Sequence, residues 1–320
     1  MKKAISALLL SAILLLSLSA CGAAPEGEKE DGVLTVAATT YPVYLLAEPI
    51  VGNLDGIELK LVVNQQISCL HDYTLSVQDM RTLSQADVIL MNGAGLEEFL
   101  DDVLNTLDVP VIDCSAGIEL LPSEGHEDHD HGHDEDADDH DHYDPHIWMD
   151  PHRATQMMTT IAENLAAVQD TYSREDLLEQ MRIPAAQIDE MAAEWKLRFD
   201  ALPEAQRKLI TFHDGFAYFA DAFDLEILKA IEEESGSEAS AKEIKEIVGL
   251  VREYHIPTIF TEENGSSATA KAIQRETGTK IGTLSMLMSA DGPEYLQAME
   301  QNLQTVYTGL TGEEIRSHAE

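Results

Sequence analysis

Short apolar runs of β character alternate with stretches of helical spacing along almost the whole chain, and this alternation restricts the fold more than any other property of the sequence. Segments 33–38, 57–63, 87–91 and 109–113 read as strands, with helical composition at 43–51, 75–83 and 96–107 between them. A second series places strands at 208–213, 225–231, 258–262 and 280–285. Its clearest helix starts at Ser240, where Glu243 three residues on makes a capping box. Segments 266–277 and 293–310 supply its other helices. Strands separated by helices need crossover connections and so pair in parallel. The predicted architecture is α/β: two lobes, each with a parallel four-stranded sheet, joined by a long linking helix.

Between the two series, residues 153–168 form a helical pattern with Met157, Ile161 and Leu165 on one stripe. Residues 173–201 then make one long helical stretch, opened by an N-cap pair of Ser173 and Asp176. Pro184 is expected to kink it or split it in two, because proline removes an intrahelical hydrogen bond and clashes with the preceding turn. Leu202-Pro203 closes it. The expected partition is an N-terminal lobe at 33–172, a linking helix at 173–202 and a C-terminal lobe at 203–320.

Residues 1–20 read as a leader, with Lys2-Lys3 ahead of an apolar stretch too short for a stable membrane span. The sequence Leu18-Ser19-Ala20-Cys21-Gly22 resembles a bacterial lipobox, which makes Cys21 the expected lipidated N-terminus. Residues 21–32 are polar and read as a tether. The expected location is extracytoplasmic, lipid-anchored to the cell membrane. A net charge of −39 argues against nucleic acid or anionic lipid as partner and suits a protein that gathers cations. Two further cysteines, Cys69 and Cys114, stand at even odds between a disulfide and two buried thiols.

Residues 124–144 hold six histidines and eleven carboxylates without one Lys or Arg. Such a stretch has no apolar core to bury and reads as a solvated loop. Imidazole and carboxylate are ligands for first-row divalent metals, zinc above all. The functional reading is a weak collector of metal or a sensor of its abundance; the bland one is a solvated insertion whose histidines are not needed. Three histidines stand outside this run where a ligand is expected. His71 follows the second strand, His146 lies in DPHIWMDP between loop and helix, and His213 ends a strand. Ligands of open α/β sheets bind outside the carboxyl ends of strands, so these three can converge across a cleft. His152, His255 and His318 lack such a setting and read as surface residues.

The pattern resembles the cluster A-I (ZnuA-like) solute-binding lipoproteins of ABC transporters for zinc and manganese. The resemblance is carried by Ala38 to Pro42, His71 to Asp79, Asn92 to Glu97, the acidic His loop, DPHIWMDP, Phe212 to Phe216 with Tyr218-Phe219, and Glu276 to Gly278. It implies two α/β lobes, a linking helix and a metal in the cleft between them, with His71, His146 and His213 in the first three ligand positions. A histidine at the third resembles the zinc branch, and nitrogen suits zinc over manganese. The chain departs from the pattern at Leu70-His71, where Pro-His is usual, and at residues 283–286, where many members present an Asp. The fourth ligand is therefore open between water and Glu262.

The function implied is capture of Zn²⁺, in preference to Mn²⁺, and delivery to an ABC permease by a monomeric protein that is not an enzyme. Closure between the lobes is expected to be small, since a long helix limits the swing. A manganese or iron receptor is the variant within this class. The rivals from other classes are a secreted zinc hydrolase and a metal-storage adhesin. The hydrolase lacks an HExxH stretch and a recognisable general base.

Overall fold

The structure is a computed structural model that describes residues 32–64, 73–123, 143–232, 239–262 and 267–313. Calls on the lipobox and Cys21, on Cys69 and His71, on the acidic stretch 124–142 and on His318 lie outside these residues.

Two four-stranded sheets carry the fold. The first contains β1 (Leu34–Ala38), β2 (Ile57–Leu61), β3 (Val88–Met91) and β4 (Val111–Asp113) in the order β2-β1-β3-β4. The second contains β5 (Lys208–His213), β6 (Glu226–Glu232), β7 (Thr258–Glu262) and β8 (Lys280–Leu284) in the order β6-β5-β7-β8. Every pairing is parallel. The inner strands read as nearly unbroken apolar runs because both faces are covered: β3 buries Val88, Ile89 and Leu90, and β7 buries all five residues. In each sheet the chain reverses direction of travel between the two inner strands. The crevices at the carboxyl ends of β1 and β3, and of β5 and β7, are the switch points where such folds bind ligands.

The helices are α1 (Tyr41–Val51), α2 (Val77–Gln85), α3 (Asp101–Leu104), α4 (Pro151–Val168), α5 (Arg174–Asp200), α6 (Ala217–Ala222), α7 (Ala241–Glu253), α8 (Ser267–Thr277) and α9 (Tyr295–Thr311). Both expected capping boxes form: Ser173 accepts the Asp176 N–H and Ser240 the Glu243 N–H, each with the reciprocal bond. An apolar core runs without a break from Val36 and Leu46 through Met157 and Trp195 to Phe219 and Val306. A smaller one, built on Phe212, Ile247, Ile259 and Ile273, lies under α7 and α8.

One of the two outcomes expected at Pro184 is ruled out, and the helix expected at 96–107 is corrected. Pro184 does not split the long helix, which continues for 27 residues as α5. Its buried stripe of Leu177, Met181, Ala185, Ile188, Met191, Trp195 and Phe199 continues on both sides of the proline. An interior proline costs roughly 3 kcal/mol. Burying several such side chains contributes about 1.5–3 kcal/mol each, so packing wins. The helix expected at 96–107 shrinks to a 3₁₀ turn at Glu98–Leu100 and the four residues of α3. Here Glu97 turns its side chain inward to backbone N–H groups of Asn92 and Gly93, which holds the preceding segment in a loop.

Candidate metal centre

His213 ends β5, and Pro145 and the 3₁₀ turn Ile147–Met149 flank His146; the two imidazoles meet. Their Nε2 atoms lie 3.2 Å apart, with ring centroids 5.0 Å apart at nearly a right angle. Both residues are largely buried, His213 at 4% exposure.

The segment before α4 fixes His146 by short-range bonds. Asp144 Oδ1 accepts the backbone N–H of His146 at 2.9 Å and lies 2.7 Å from its Nδ1. A carboxylate only accepts, so Nδ1 carries the proton and Nε2 keeps its lone pair towards His213. Asp150 then caps α4, accepting the N–H groups of His152 and Arg153, with Pro151 in the first turn. Its other oxygen takes Arg153 Nη1 at 2.7 Å, and the same nitrogen reaches Asp221. The two aspartates of DPHIWMDP thus have different tasks. One orients an imidazole and the other starts a helix.

Contacts from distant parts of the chain hold this segment in place. Tyr218 donates to the Asp144 carbonyl at 2.9 Å and accepts the Leu121 N–H. Burial pushes its hydroxyl up to about 12, so it stays a donor. Trp148, fully buried, donates to the Met286 carbonyl at 3.0 Å, and Tyr295 donates to the Trp148 carbonyl at 2.8 Å. Behind His213, Glu262 Oε1 stands 3.6 Å from Nδ1, on the side of the ring away from His146. Gly215 leaves room for that ring: a Cβ there would come within 2.6 Å of His213 Cδ2 and of the Met286 methyl.

A further buried carboxyl group, Glu97, lies at the carboxyl ends of β1 and β3. Glu97 takes the Thr39 hydroxyl and the N–H groups of Asn92 and Gly93. Burial pushes it up to about 7, against the pull of those hydrogen bonds. A carboxyl raised on folding stabilises the fold fully below its ordinary value near 4.5, and that contribution is lost as pH rises through 7. Over this window the metal-free protein is expected to lose roughly 3 kcal/mol relative to Glu97→Gln. Urea unfolding at several pH values measures it; parallel stability curves for the two proteins would contradict it.

Of the residues singled out in the sequence, the structure brings His146 and His213 together and sets Glu262 behind the latter. His152 and His255 are exposed, as expected. Cys114 is a buried free thiol. Among the described residues no three His, Cys, Asp or Glu side chains gather as a complete metal cage. The sequence alone assigned no role to Asp144, Asn92, Glu97, Gly215 or Tyr218, although the motifs contain all five, Asp144 opening DPHIWMDP. An Asp two residues before a candidate histidine was the one local signal available.

The family model for the zinc-uptake complex component A periplasmic protein, ZnuA, matches residues 36–309. The zinc-binding lipoprotein AdcA of Streptococcus pneumoniae serotype 4 is 29% identical over 93% of this chain, which spans 60% of that relative's length. The manganese-binding lipoprotein MntA of Halalkalibacterium halodurans is 25% identical over 97% of this chain and its own full length. Among solved structures, the laminin binding protein Lmb of Streptococcus agalactiae, described as a bifunctional adhesin with metal transporting activity, superposes with a TM-score of 0.72. It is 26% identical, covering 87% of this chain and all of the other.

Proposed function

The chain belongs to the ZnuA family of periplasmic zinc-uptake components, and from that premise we propose that it captures Zn²⁺ and hands it to an ABC permease as a binding protein, not an enzyme. The observation that carries this reading is the pair of Nε2 atoms 3.2 Å apart. With Nδ1 of His146 committed to Asp144, its Nε2 lone pair faces His213 Nε2, and a cation between the rings would take a lone pair from each, the His213 proton then sitting on Nδ1 towards Glu262. Two Zn–N arms of about 2.0–2.1 Å at a tetrahedral angle place their nitrogens about 3.3 Å apart, close to the spacing found. His71 is the proposed third ligand. Water is the fourth, because Glu262 faces the opposite nitrogen of His213 and serves better as an acceptor that orients the ring.

Nitrogen ligands favour zinc over manganese. Manganese is the second reading, supported by the full-length match to MntA. No helix among the described residues is long and apolar enough to cross a membrane. Anchorage through a lipid on Cys21 is the reading consistent with the lipoprotein relatives. The proposed partition remains a leader at 1–20, a tether at 21–32, lobes at 33–172 and 203–320, and the linking helix.

Competition calorimetry tests both the site and its metal. Zinc is expected to displace Mn²⁺ from one tight site, and a variant lacking residues 124–142 is expected to keep that site while losing weaker ones. Loss of tight binding on removing 124–142 would show that the acidic stretch, and not the cleft, holds the metal.

A further inference from the structure

We propose that Glu97 is a positioning residue of this site, holding the turn whose Asn92 amide fixes the Pro145 carbonyl and so aims His146. The proposal rests on reading His146 as a metal ligand. Glu97 is 1% exposed and lies at the switch point of the first sheet, bonded to residues that follow β1 and β3. One of its oxygens accepts the Thr39 hydroxyl and the Asn92 N–H, both at 2.7 Å; the other accepts the Gly93 N–H at 3.1 Å. It therefore ties the end of β1 to the end of β3.

The bonded segment is in a conformation that would not persist unaided. Gly93, Ala94 and Gly95 have φ of 82°, 53° and 84°, three left-handed residues in succession, one of them carrying a Cβ. A Cβ at Gly93 would fall 1.9 Å from Asp113 Oδ1, so the turn also fits closely against β4. With its backbone held, Asn92 directs its side-chain nitrogen to the carbonyls of Gly93 at 3.0 Å and Pro145 at 2.9 Å. The Pro145 carbonyl belongs to the peptide that leads into His146. The Asp144 carbonyl, in the peptide just before it, accepts from Tyr218. The two peptides flanking Pro145 are thus gripped, the one leading into His146 from the first sheet through Asn92 and the one before it from the second half of the chain through Tyr218. Glu97 is what makes the first grip rigid.

A residue that only satisfies buried N–H groups would affect stability and leave the metal's surroundings alone. The test titrates Zn²⁺ and Co²⁺ into the full chain carrying Glu97→Gln, Asn92→Ala, both together, or His146→Ala. Each of the first two is expected to weaken Zn²⁺ binding about tenfold or more and to change the visible d–d absorption of bound Co²⁺. The double variant is expected to bind no more weakly than the weaker single one, since both act through one path. Wild-type affinity and spectrum in folded Glu97→Gln would overturn the proposal, as would losses that multiply in the double variant. Should Glu97→Gln not fold, Asn92→Ala decides alone, because it deletes the link to Pro145 and leaves all three bonds to Glu97 in place. Full zinc affinity in His146→Ala would instead bring down the ligand reading beneath the proposal.

Discussion

Zinc binding by His213→Ala is expected to be weaker by about 10²–10³-fold, with the fold retained. Structural zinc sites hold their ion with apparent free energies of about 10–16 kcal/mol, so one ligand in four accounts for about 3–4 kcal/mol. That is the factor just given, at about 1.4 kcal/mol per tenfold. The substitution is informative because it removes an imidazole of the proposed site without touching the apolar residues of either core. His213 ends β5 and its ring faces His146 and Glu262, whereas the neighbouring Phe212 enters the smaller core. Its removal should leave circular dichroism and the unfolding midpoint of the metal-free protein near wild type, while the stabilisation that zinc adds disappears. Tight zinc binding in a folded His213→Ala protein would exclude the cleft as the site. Zinc-dependent hydrolysis, by contrast, is not expected from wild type or variant.

Trp148→Ala is expected to lower stability by about 3–5 kcal/mol, the range for deleting a fully buried Trp. A change of that size moves the unfolding midpoint of a chain this long by roughly 4–8 °C, at about 2.1 cal/mol/K of unfolding entropy per residue. The indole fills the seam between the two halves, wholly buried, and its N–H satisfies the Met286 carbonyl. Truncation leaves both a cavity and an unpaired carbonyl. The ring also flanks His146, with centroids 5.3 Å apart, so metal affinity should fall as well. Trp148→Phe separates the two effects: it refills most of the cavity but cannot donate to Met286. Thermal unfolding of the metal-free variants measures the first effect. A shift below about 1 kcal/mol for Trp148→Ala would mean that the seam repacks freely.

Much of the architecture was legible because it is local. Each of the eight strands expected from the apolar runs overlaps a strand of the structure. The parallel pairing followed from the helices between them. The misreadings came where packing overrode local preference. At Pro184 the buried stripe of α5 outweighed the lost hydrogen bond. At 96–107, an inward-facing Glu97 cut short a helical composition. The candidate site was legible in its parts, since His146 and His213 stood at positions where α/β folds bind ligands. Their supports were not. Asn92 reaches Pro145 across 53 residues, Tyr218 reaches Asp144 across 74, and Trp148 reaches Met286 across 138.

The sequence by itself determined the order and kind of elements and the caps at Ser173 and Ser240, and it supplied the histidines from which a metal site is proposed. These depend on residues within a turn or two of one another, where propensity and hydrophobic spacing act. Tertiary structure decided which nitrogen of His146 faces His213, which carboxylate aims it, and why Glu262 stands behind the pair. Those choices depend on which distant groups share a buried space. There an unsatisfied N–H or carboxylate costs several times what it costs in water, so only one arrangement of the assembled parts satisfies them together.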